Sequence, residues 1–145
     1  MSIMPTYDEA LAIADTIVGA HDGDPRRVSG AVRTFHLIGR LYFEVTAGGV
    51  PRWLTNRSGR YTTETVKALE EIGASECAAV VREILGLFGT GLPEDEVQRS
   101  AEVEKRYPAA WPRWRELGDC LLDWPDDVDA LLRAHFASHT AEFSV

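Results

Sequence analysis

Carboxylates at helical spacing carry most of the chemistry in this sequence. Glu116, Asp119 and Asp123 fall at i, i+3 and i+7, and Asp126, Asp127 and Asp129 follow. On a helix such residues share one face, with neighbouring Cβ atoms about 5–6 Å apart. A row of this kind is suited to a partner rich in Arg and Lys, because charge-assisted hydrogen bonds to carboxylate are among the stronger polar contacts. Asp126 and Asp127 have a local reading too, since acids in the first turn of a helix gain about 0.3–1 kcal/mol each from the helix dipole. Glu94, Asp95, Glu96, Glu102 and Glu104 form a second acidic region.

The opposite charge gathers earlier in the chain. Pro25 to Arg60 carries Arg26, Arg27, Arg33, Arg40, Arg52, Arg57 and Arg60 against Glu44 alone, a net of +6 within a chain of −8. Gly48, Gly49, Arg52, Trp53, Asn56, Arg57, Ser58 and Gly59 mark an alternative binding surface there, because glycine turns turn N–H groups outward and the arginines add charge. It is no P-loop, since G-K-[ST] is missing and no strand precedes it. Its structural reading is a tight connection that Trp53 plugs and that Asn56 and Ser58 hold by side-chain hydrogen bonds to backbone.

Catalytic groups do not converge. Ser29, Ser58 and Ser75 lack a nucleophile elbow, and neither Cys77 nor Cys120 is tied to a His by sequence. The cysteines, on predicted apolar helix faces, read as small buried hydrophobes. His135, His139 and Glu142 have a metal-compatible spacing but read better as an exposed His pair, and His36 as a hydrogen-bonded boundary residue. A binding protein without metal or cofactor is therefore expected, rather than an enzyme.

Net charge −8 argues against direct contact with nucleic acid. No apolar run approaches the roughly 20 residues of a membrane span, and the first residues lack a signal-peptide pattern, so a cytoplasmic protein is expected. At 145 residues, 45% of them hydrophobic, one domain over 1–145 with an ordinary core is expected.

These side chains must be positioned by helices, because apolar residues repeat at helical spacing throughout and no period-two run competes. The spacing predicts an all-α, compact bundle of about six or seven helices. Thr6 and Glu9 suggest a capping box for the first, which stops near Gly19. A long second helix over Val28–Val45 ends at Gly48 and Gly49, in a short Gly-rich connection followed by one helical turn at Pro51. Thr62 and Ser75 are expected caps for the next two helices. The helix from Glu94 to Arg106 has few apolar residues and is expected to be exposed or mobile, with Y-P-A-A-W-P breaking it. A helix carrying Trp111, Trp114, Leu117, Leu121 and Trp124 follows, and Pro125 opens the last. The long helix is expected to pack against those around Val66, Val80 and Leu117, and exposure of Trp111, Trp114 or Phe143 would suggest a homodimer surface.

The segment from Glu44 to Ala74 resembles a bacterial family, the DNA-mimic-protein (DMP-nineteen-like) family. Its members share an E-V-x-N-G-G-F-x-Q-[FY]-F-x-N-x-S-G stretch followed, after one helix, by A-L-x-x-I-G-A. Glu44, Val45, Gly48, Gly49, Asn56, Ser58, Gly59, Ala68, Leu69, Ile72, Gly73 and Ala74 match, whereas Ala47, Val50 and Arg52 replace the family's Asn, Phe and Gln. The resemblance is best over Val28 to Phe88. It implies an all-helical, acidic, often dimeric protein that binds another protein, in one member by imitating DNA phosphates. The expectation is an acidic protein-binding module whose partner is a DNA-binding protein. The alternative is an immunity-like or regulatory interaction protein using the Arg-rich Gly48 to Arg60 surface.

Overall fold

The computed structural model describes residues 7–89 and 91–143. Six α-helices account for most of them, with three short 3-10 turns and no strand among the described residues: α1 (Tyr7–Ala20), α2 (Gly30–Thr55), α3 (Thr62–Glu71), α4 (Ser75–Gly86), α5 (Glu96–Leu122) and α6 (Val128–Ser138). Thr6, the expected cap of α1, lies outside the described residues.

Helix α2 is the central element because its apolar positions cover a broad face. Ala31, Val32, Phe35, Ile38, Leu41 and Val45 are all buried, each large one contributing about 1.5–3 kcal/mol of burial. It packs against α1, α3, α5 and α6, while the main contacts of α4, the helix around Val80, are with α3 and α5 rather than the expected α2. One apolar cluster runs through all six helices. At its end Phe35 meets Phe136 and Phe143, with ring centroids 6.1 and 5.1 Å away.

The glycine pair breaks α2 as expected. Gly49 has φ +78° and ψ −175°, a conformation open essentially to glycine alone, and the helix resumes through Pro51 to Thr55. Trp53 and Leu54, on the resumed turn, are fully buried.

Helix α5 corrects one expectation. Pro108 and Pro112 do not break it; both are exposed. Proline removes a bond to the carbonyl four residues earlier, here those of Glu104 and Pro108, and on an exposed face water can serve these instead. Its first turns are mostly exposed, as expected, and are anchored by two buried side chains, Arg99 and Val103. Gly118 is buried against α2, where a Cβ would meet Val50 at 3.4 Å, an ordinary contact distance.

The caps differ in detail. Thr62 and Ser75 start their helices as first residues rather than as side-chain caps. Pro125 lies in the turn before α6, whose cap is Asp127, accepting from the N–H of Ala130 at 3.2 Å. Trp114 and Phe143 are buried and Trp111 is half-buried, so none offers the exposed surface that would suggest a dimer. No helix among the described residues is long and apolar enough to cross a membrane.

Candidate functional site

Two places concentrate polar side chains, the break in α2 and the acidic end of the bundle. At the break, Glu44 is a carboxylate only 5% exposed. Its Oε2 accepts from Arg52 Nε at 2.8 Å and from Asn56 Nδ2 at 2.7 Å, so it spans the kink and fastens the resumed turn to the helix before it. Gly48 makes room for this. A Cβ there would lie 2.6 Å from the Arg52 side chain that passes over it.

The following 3-10 turn, Arg57–Tyr61, is fixed from inside. Ser58 Oγ donates to the Trp53 carbonyl at 3.0 Å. Gly59 sits where a Cβ would be 1.9 Å from the Leu54 carbonyl oxygen and 2.7 Å from Arg99 Nε. Arg99, 1% exposed, donates to the carbonyls of Leu54, Asn56 and Glu94 at 2.8, 3.0 and 2.7 Å. Burial lowers its guanidinium from the ordinary arginine value, yet an arginine stays protonated. Of the proposed alternative surface, Trp53, Ser58 and Gly59 are buried, Gly48 and Arg52 exposed but committed to the kink, and Gly49 and Asn56 half-buried. Arg57 is exposed and donates to the Asp22 carbonyl at 3.0 Å.

Beside the break a cleft of about 380 Å³ opens between α1, α2 and this turn. His36 and Asp15 face each other there at 2.6 Å, and since a carboxylate only accepts, Nδ1 of His36 carries the donated proton. His36 is thus the hydrogen-bonded boundary residue its position suggests.

The basic segment is largely neutralised within the fold. Arg26 pairs with Glu94 at 2.6 Å and Glu64 at 3.0 Å, Arg60 approaches Glu94 at 3.9 Å, Arg27 pairs with Asp22, and Arg52 with Glu44. Glu94 and then Glu64 raise the Arg26 guanidinium above its usual value, and Arg26 lowers Glu94 in turn.

The acidic end is compensated far less. From Glu116 to Asp129 the chain has six acids and no base. Glu116 pairs with Arg113 at 2.8 Å, and Asp129 with Arg133 at 3.0 Å. Asp119 and Asp123 are exposed and make no side-chain hydrogen bond or ion pair among the described residues; Arg115, one turn before Asp119, pairs with neither. Asp126 and Asp127 do structural work as caps. Asp126 Oδ2 accepts from the Cys77 N–H at 2.9 Å, capping α4 from a distant loop, as Asp127 caps α6.

Cys77 is buried as expected, whereas Cys120 is exposed, on the outward side of α5 between Asp119 and Leu121. His135 and His139 lie with ring centroids 4.4 Å apart and planes tilted by 34°, and His139 Nδ1 turns to the His135 carbonyl at 2.8 Å; both are half-buried, not the exposed pair expected, because α6 packs this face against the core. Among the described residues no three His, Cys, Asp or Glu side chains gather as a metal site. Arg99 escaped the sequence reading because it lies in a charge-dense run, where a buried cation has no periodic signal.

Comparison with known proteins finds a family model, described as DMP19-like protein, matching residues 26–139. The match covers the resemblance over Val28 to Phe88 and continues through α5 and α6. No curated protein and no solved structure matches the chain.

Proposed function

The chain belongs to the DMP19-like protein family, and from that membership we propose that it is an acidic cytoplasmic protein-binding module, acting by binding rather than by turnover. It occupies a basic, DNA-binding protein by presenting carboxylates where that partner would meet phosphates. The supporting observation is the unequal fate of the charges. The arginines of Pro25 to Arg60 are mostly met by Asp22, Glu44, Glu64 and Glu94, whereas Asp119 and Asp123 stand exposed within a run of six acids. A partner's Arg and Lys groups gain most where carboxylates have no competing cation. The Arg-rich alternative has less to offer, since Arg52 is held by Glu44 and three of its residues are buried.

The test is capture of binding proteins by the folded chain, with duplex DNA as competitor. Asp119→Lys with Asp123→Lys, leaving the caps Asp126 and Asp127 intact, should abolish capture, and duplex DNA should displace what the wild type holds. Capture that survives the charge reversal would refute the acidic face. Capture lost on reversal but indifferent to duplex DNA would leave an acidic binding face and refute DNA mimicry.

A further inference from the structure

The cleft between α1, α2 and the Arg57–Tyr61 turn has more donors than the protein uses. Its volume of about 380 Å³ falls in the range of small-molecule sites, roughly 300–1,000 Å³. Val18 and Leu37 give it an apolar wall. Arg40 lies 3.7 Å from Asp15 and 3.7 Å from Glu44, too far to hydrogen-bond either. His36 holds Asp15 by Oδ1 at 2.6 Å, and Arg52 and Asn56 hold Glu44 by Oε2, while Arg40 faces the other oxygen of each. At those distances the guanidinium of Arg40 has no hydrogen-bond acceptor among the described residues.

Tyr61 supplies a second unused group. It is 3% exposed and lines the cleft, with Arg26 and Arg60 over its ring at 5.0 and 5.8 Å. Its hydroxyl makes no hydrogen bond among the described residues and is not one of the buried polar atoms left without a partner, so it is open to solvent or a ligand. With Glu44 matched by Arg52, the arginines and carboxylates of the cleft leave Asp15 against Arg40 and Arg57, an excess of one positive charge.

We propose that this cleft binds a small organic carboxylate, the carboxylate received by Arg40 and Tyr61 and the apolar body laid against Val18 and Leu37. A planar carboxylate fits the fork of a guanidinium. A phosphate dianion would bring a second charge towards Asp15 and Glu44, which the single excess cation does not offset. This site is separate from the acidic face of α5.

The experiment is an amide-resolved NMR titration of the whole chain with benzoate, acetate, benzamide and inorganic phosphate. Benzoate should shift amides around Gly19, Leu37, Arg40 and Arg57 saturably, and benzamide should bind on the order of tenfold more weakly, having lost its charge-assisted bond. Arg40→Gln should weaken benzoate by about tenfold and Tyr61→Phe by about threefold, with Tm unchanged as the check that both variants fold. The Asp119→Lys, Asp123→Lys variant should bind benzoate as the wild type does, so the two readings fail separately. No saturation by either carboxylate, equal binding of benzamide, tighter binding of phosphate, or indifference to Arg40→Gln would each overturn the proposal.

Discussion

Arg99 Nε donates to the Leu54 carbonyl oxygen at 2.8 Å, joining the first turns of α5 to the last turn of α2 across 45 positions. The same guanidinium serves Asn56, Glu94 and, at 3.4 Å, Pro93, so one buried side chain reaches four backbone carbonyls, of which that of Asn56 also accepts from the Gly59 N–H. Arg99→Met keeps most of the volume and removes every donor. It should cost about 3–5 kcal/mol in urea unfolding. Arg99→Lys should restore less than half of that, because an ammonium cannot reach these carbonyls with a planar fork.

Gly59 is the neighbouring test of the same junction. A methyl group there would overlap the Leu54 carbonyl oxygen and press on Arg99, so Gly59→Ala should destabilise by about 3 kcal/mol or more. The measurement is the shift in Tm against Gly19→Ala, where a Cβ meets nothing within 4 Å.

The acidic residues should divide into two behaviours. Asp126→Ala and Asp127→Ala remove caps of α4 and α6, each expected to cost about 1 kcal/mol. Asp119→Asn and Asp123→Asn, with no intramolecular bond to lose, should stay within roughly 0.5 kcal/mol of the wild type. Chemical denaturation of the four single variants checks this directly.

His135 gives a pH dependence whose sign follows from its burial. Desolvation, and then the neighbouring His139, lower its pKa from the ordinary value of 6.5, and its Nε2 is buried without a hydrogen-bond partner. Below 6.5 the unfolded chain therefore takes up the proton more readily than the folded one. Its contribution to stability is complete above that value and declines as pH falls through the lowered native pKa. Unfolding free energy measured from pH 7.5 to 5 should fall less steeply in His135→Gln than in the wild type.

The thiols should report the packing of α4 and α5. Burial pushes the Cys77 thiol up to about 12, leaving almost no thiolate at neutral pH. Cys120 is exposed. A thiol-reactive chromophore should titrate one cysteine promptly in the folded protein and the second only on unfolding; prompt modification of both would contradict the packing around Cys77.

Much of this architecture was legible in the residues. Apolar spacing located α1, α2, α4 and α6 to within a few residues, and the break at Gly48 and Gly49 followed from the loss of helical preference there. Two features were hidden by contacts between distant segments. Pro108 and Pro112 read as breakers, yet Trp114 is buried beyond them and stacks on Phe88 at 5.9 Å, so tertiary packing carries α5 through both prolines. Asp126 read as a first-turn acid of its own helix, but its bond goes to Cys77, 49 positions earlier. The acidic row was visible as a pattern; which of its members the fold consumes was not, because capping across a loop leaves no local signature.

The arginines matched to Glu64 and Glu94 show that the molecule's outward field is a product of folding. Before those distant acids arrive, the basic stretch is open to any polyanion nearby; once they reach Arg26 and Arg60, two of its cations are already occupied.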